Sequence, residues 1–147
     1  MSTVRETALT ALDTLLKGLV GLTALRNISV PVEIPADGLL ILRDGNPGEP
    51  EVLLSPLTYI FSHRAEVEVL VQAGTETERD ARFDALLASI AAAIAADQTL
   101  GGTCDWVEAE APEPSDVPIE GADQIKAAVL PVILEYVTND RLGLDAG

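Results

Sequence analysis

One cysteine and one histidine are all that 147 residues supply. A single thiol excludes an intramolecular disulfide, and Cys104 and His63 have no companions at ligand spacing, so no metal site is expected. Aromatic residues are almost as scarce: one Trp, two Tyr and two Phe. The core must therefore be built from Leu, Val, Ile and Ala, and stacking platforms for nucleic-acid bases are lacking. Positive charge is also short, with nine Lys and Arg against 24 Asp and Glu and a net charge of −15. The basic residues are scattered, which argues against sequence-specific nucleic-acid binding. No glycine-rich phosphate loop, nucleophile elbow or redox pair is present, and the serines lack a glycine frame, so neither a cofactor nor an enzyme is expected. Residues 15–25 are apolar, but Lys17, Gly18 and Gly21 interrupt them, well short of the roughly 20 residues of a membrane span. With no secretory pattern at the N-terminus, synthesis inside the cell and no membrane partner are expected.

What is there reads as one domain over residues 1–147. Thr3 and Glu6 form a capping-box pattern that opens a helix over residues 3–25, striped with Leu9, Leu12, Leu15, Leu16, Leu19 and Leu22. The stripe suits packing on a sheet, or a subunit interface. Residues 26–38, with Pro31 and Pro35, read as an extended connection. Strand-like residues 38–43 and 51–55 flank Asp44-Gly45-Asn46-Pro47-Gly48-Glu49-Pro50, whose turn chemistry predicts a hairpin with its tip in solvent. A strand over residues 59–71 follows, with Val67, Val69 and Val71 on one face and Glu66 and Glu68 on the other. His63 reads as a strand side chain and the two glutamates as solvated.

Thr75 and Glu78 open a second helix over residues 75–96, with Phe83, Leu86, Leu87, Ile90 and Ile94 on one face and an alanine-rich latter half. It ends in a turn, Asp97-Gln98-Thr99-Leu100-Gly101-Gly102, whose glycines allow positive φ before a strand over residues 104–110. Residues 108–123 mix acids with Pro112, Pro114 and Pro118 and read as an exposed loop. A late strand covers residues 127–137, and residues 139–147 read as a flexible tail.

The helix, the "aspartate, x, threonine, leucine, glycine, glycine" turn, the following strand and the final strand ending Tyr136-Val137-Thr138 together resemble the tail terminator proteins of long-tailed bacteriophages and of gene transfer agents, the group typified by minor tail protein U. The resemblance implies an α+β fold, with a mixed, mostly antiparallel sheet and two main helices packed on one face. It also implies a virion protein at the head-proximal end of the tail, assembled in the host cytoplasm. As a hexameric ring it would cap the tail tube, stop its polymerisation and offer the head-joining surface, with DNA passing through the lumen. Implied partners are further copies of the chain, the tail tube protein and head–tail connector proteins.

Two segments stand out as contact regions: the expected tip, with Asp44, Gly45, Asn46 and Glu49, and the acidic loop, with Glu110, Glu113, Asp116 and Glu120. Asp97, Thr99, Gly101 and Gly102 are expected to act as a structural turn. The alternatives are another neck, connector or tail-completion protein, and, more distantly, a small-ligand-binding or enzymatic α+β domain.

Overall fold

The sixteen-residue strand Leu57–Gln72 (β4), whose buried and more exposed side chains alternate from Phe61 to Val69, is the spine of the molecule. The computed structural model describes residues 2–29, 34, 35, 37–115 and 124–144. Their elements are α1 (Val4–Lys17), β1 (Thr23–Arg26), β2 (Leu39–Asn46), β3 (Glu51–Leu54), β4 (Leu57–Gln72), α2 (Glu76–Ala96), β5 (Trp106–Ala109), β6 (Glu113–Pro114) and β7 (Ile125–Thr138). The strands form one mixed sheet, ordered β1-β2-β4-β7-β5, with β3 on β4 and β6 on β7. Only β1 and β2 run parallel among the described strands. β4 and β7 pair antiparallel without interruption from Tyr59↔Thr138 to Gln72↔Ile125.

Both helices cover the same face of this sheet. Leu9, Leu12 and Leu16 of α1 and Phe83, Leu86, Ile90 and Ile94 of α2 pack with Leu40, Leu42, Val67, Val69, Leu130, Val132 and Leu134. The fold is α+β, with a mixed, mostly antiparallel sheet. On the other face Leu39, Ile41 and Leu70 are buried with Ile34, while toward β5 Glu66, Ile133 and Glu135 are half-buried and Trp106 and Glu108 exposed.

The first helix is shorter than its leucine stripe suggests. It stops at Lys17, Gly18 closes the last turn, and Gly21 takes φ +78°, a combination that helical continuation cannot survive. The expected last turns of the helix become a link and β1, whose Arg26 reaches back to Glu6. Thr3 Oγ1 accepts from Glu6 N–H at 3.1 Å, but the Glu6 carboxylate turns to Arg26, at 2.7 and 3.0 Å. Residues 139–144 are not a free tail. Asp140 Oδ1 accepts from the Gly143 and Leu144 N–H groups, and Gly143 O accepts from Val4 N–H at 2.7 Å, occupying a helix donor that has no partner within α1.

The expected hairpin between residues 38–43 and 51–55 does not form. β2 pairs with β4 instead, and β3 also pairs with β4, through a two-residue Ser55–Pro56 link that sets Leu54 opposite Leu57. The turn-forming residues serve another purpose. Arg43 stands opposite Glu66 and Asn46 opposite Arg64, so Asp44 and Gly45 face a single residue in a β-bulge. Gly45, at φ +70°, lies against the Arg64 backbone so closely that a Cβ would overlap the Arg64 carbonyl. Asn46 Oδ1 then accepts from Gly48 N–H at 2.8 Å and turns the chain toward β3.

A second irregularity sits across the sheet. In an antiparallel strand a residue's N–H and C=O point to the same side, and Pro131 directs its carbonyl to Glu110 N–H at 2.9 Å. Its missing donor therefore also faces the outer edge. There residues 110–112 leave the ladder between β5 and β6, so proline is tolerated inside a long strand.

The two glycines of the β2–β3 region predict different costs. Gly45→Ala combines positive φ with a backbone overlap and is expected to cost at least about 3 kcal/mol. Gly48→Ala, at φ +69° in open space, is expected to cost about 1 kcal/mol. Urea denaturation of the two variants checks the difference, and equal costs would contradict the bulge.

Candidate functional site

The residues singled out in sequence as contacts are dispersed, and several are already engaged. Asp44 Oδ1 accepts from Arg26 Nε at 3.0 Å, Arg26 Nη2 at 2.9 Å and Asn27 Nδ2 at 3.0 Å. The Glu6 hydrogen bond pushes the Arg26 pKa up, and the same bond holds Glu6 below the ordinary carboxylate range. Burial works to raise Asp44, but bonds from Asn27 and Arg26 outweigh it and leave it lowered. This cluster ties α1, β1 and β2 together. It stands where a hairpin tip was expected, with Asp44 half-buried in it and Gly45 and Asn46 exposed beside it. Glu49 is exposed as well, 3.6 Å from Arg141.

On the other side, Glu113 belongs to β6 and accepts from Arg64 Nη2 at 3.0 Å. Glu110 is exposed where the edge leaves the ladder. Asp116 and Glu120 lie outside the described residues. The turn at Asp97 is closed by its own atoms: Asp97 Oδ1 accepts from Gly101 N–H at 2.9 Å, and Thr99 O from Cys104 N–H at 3.0 Å. Leu100 takes φ +47° ahead of Gly101 and Gly102, so the left-handed run starts one residue earlier than the glycines indicate. Burial of the Leu100 side chain among the core residues holds that conformation.

The chemistry-bearing side chains do not converge on solvent. His63 is 1% exposed. Its Nε2 meets the Asp44 carbonyl, so Nε2 carries the proton, and Nδ1 accepts from Tyr136 Oη at 2.8 Å. The histidine thus satisfies a carbonyl that the bulge removes from the ladder. Burial raises the Tyr136 pKa to about 12, so the phenol remains a donor. Glu66 and Glu68 stand on the open sheet face, with Glu68 accepting from Arg43 Nε at 3.2 Å. Cys104 is buried, and burial raises its thiol pKa, opposite to what a nucleophile needs. Among the described residues, no three His, Cys, Asp or Glu side chains are grouped to hold a metal ion. No described helix is long and apolar enough to cross a membrane.

What does stand out is the β3–β4 hairpin. β7 occupies one edge of β4 from Tyr59 onward, so β3 lies on the other edge, and the hairpin end extends past the last β7 pair. Val52, Leu53, Leu54 and Leu57 are all exposed, Leu54 at 79%. From Val52 to Thr58 the segment carries no charge, in a chain of net charge −15. Sequence reading placed a strand here but missed the apolar prong, because Val52-Leu53-Leu54 looks like an ordinary half-buried strand. The signal was available in Pro50 and Pro56, which bracket the strand and mark a short edge element.

Two surface clefts accompany the prong. One, of about 330 Å³, lies between the α1–β1 link and α2 and includes Asp37 and Arg82. The other, of about 300 Å³, lies between Leu87, Ile90 and Ala91 of α2, Leu130 of β7 and the edge residues 109–112. Glu110 is the one charged residue lining it. The departure of the edge opposite Pro131 shapes this second cleft.

No family model matches the chain, and no curated protein matches it.

His63 predicts a pH dependence. Burial is the largest influence and lowers its pKa below the ordinary 6.5, with Arg5 acting in the same direction and the Asp44 carbonyl and carboxylate opposing. The folded state therefore prefers the neutral ring. That stability is complete above about pH 6.5 and is lost as the pH falls toward the folded-state pKa. The urea midpoint is expected to fall between pH 7 and 5, and His63→Gln to flatten that segment. An unchanged slope in the variant would contradict the assignment.

Proposed function

We propose that this chain is a structural subunit of the tail terminator kind, which caps the tail tube as a hexameric ring, halts polymerisation and presents the head-joining surface. The observation that carries the reading is the uncharged prong of Val52, Leu53, Leu54 and Leu57, held in solvent on a paired two-stranded ribbon. Seating a leucine fully is worth about 1.5–3 kcal/mol, and a chain has no folding reason to leave four large apolar groups together outside its core. Assembly supplies that reason. In a strongly acidic subunit, copies repel one another over most of their surface, so contacts belong where charge is absent.

The resemblance in the Asp97 to Gly102 turn and the Tyr136-Val137-Thr138 strand end selects the tail terminator among assembling proteins. The engaged state of His63, Cys104, Glu68 and Glu113 fits a role in recognition without bond-making. In this reading the partners are other copies, the tube protein and connector proteins, and the site of action is the head-proximal end of the virion tail.

Deleting the gene from its phage or gene transfer agent genome tests the function. Tails of abnormal length and unjoined heads are expected in electron micrographs of the lysate. Tails of normal length without heads would favour a connector, and normal particles would end the reading.

A further inference from the structure

We propose that the prong of one copy seats in the cleft between α2 and the β5–β6 edge of the next copy, so that subunits join head to tail. The inference rests on the assembly reading above and names the two surfaces that meet.

Three observations converge on it. The first is position. The prong stands on the β2 side of β4, whereas the cleft lies beyond β7, at the opposite flank of the sheet. Surfaces on opposite flanks cannot satisfy each other within one subunit. They form a heterologous contact, which yields a ring when the rotation between copies closes.

The second observation is charge. The prong is neutral from Val52 to Thr58, and the cleft is lined by Leu87, Ile90, Ala91, Leu130 and the edge, with Glu110 its one ionisable group. The other cleft contains Asp37 and Arg82, and leucines placed there would strip water from charged groups without replacing its hydrogen bonds. The α2 cleft is therefore the receiver.

The third is size and chemistry. About 300 Å³ is twice the roughly 150 Å³ that admits a benzene ring, so the cleft has room for leucine side chains. Exposed Ala91 offers a thin wall to the cleft on its α2 side.

Cysteine cross-linking of the full chain tests the arrangement. Leu54→Cys and Ala91→Cys are made singly and together, leaving Cys104 buried as it is. After mild oxidation the double variant is expected to give a covalent ladder beyond the dimer, while each single variant stops at the dimer. In light scattering, Leu54→Asp and Ala91→Glu are each expected to be monomeric at concentrations where the wild type assembles, with melting temperatures equal to that of the wild type diluted to monomer, because both positions are exposed. Mixing these two variants is expected to restore dimers only, since each retains one of the two surfaces.

A wild type that assembles, with neither a ladder in the double variant nor any change of mass in Leu54→Asp, would overturn the prong-and-cleft contact and leave the assembly reading standing. A wild type that stays monomeric up to about 1 mM, where even a millimolar contact is visible, would overturn both.

Discussion

The long antiparallel ladder between β4 and β7 is the constraint on which the rest of the molecule depends. It pairs both strands from Tyr59↔Thr138 to Gln72↔Ile125 and fixes, by alternation, which side chains meet the helices. Val67, Val69, Leu130, Val132 and Leu134 all point to one face, and α1 and α2 have a continuous apolar floor to cover. A one-residue slip would expose the whole set. The same ladder sets where the prong stands, because β4 begins at Leu57, before β7 has a partner to offer it. A sheet that ended evenly would have no projecting apolar end.

Two departures from regular pairing flank this ladder, and each is answered locally. On the β2 side the Asp44–Gly45 bulge frees a carbonyl, and His63, itself fastened to Tyr136, takes it. On the β5 side Pro131 offers no donor, and the edge swings away at residues 110–112. At the first departure the histidine is buried with both ring nitrogens bonded, so it is structural. The second opens at the surface and leaves a cleft. In their contrast, a histidine closes one irregularity within the sheet and a proline marks the other at its edge.

Long elements with strong periodicity were legible in the sequence. The strand around Val67, Val69 and Val71, the helix opened by Thr75 and the reversal after Asp97 all lie where alternation, capping and glycine placement put them. The failures have a common origin in short segments whose partners are distant. Thr23-Ala24-Leu25-Arg26 continues a leucine stripe, and nothing local reveals that β2 will pair with it. Asp44-Gly45-Asn46 carries turn chemistry, yet its positive φ makes a bulge, because β4 competes successfully for β2. The final turn looked like a polar tail, and its docking under α1 depends on one backbone bond from Val4. The exposed apolar end of the hairpin was not legible for a related reason. Charged loop residues drew attention, whereas exposure of Leu53 and Leu54 follows only from the length of β4 relative to its neighbours.

In the proposed assembly the uncharged end of the β3–β4 hairpin is covered. Hydrogen–deuterium exchange, compared between dilute monomer and the assembled state, tests it most directly. New amide protection is expected to concentrate at residues 51–58, with a second protected stretch at residues 109–112. Assembly that leaves exchange at residues 51–58 unchanged, while protecting other surfaces, would contradict it.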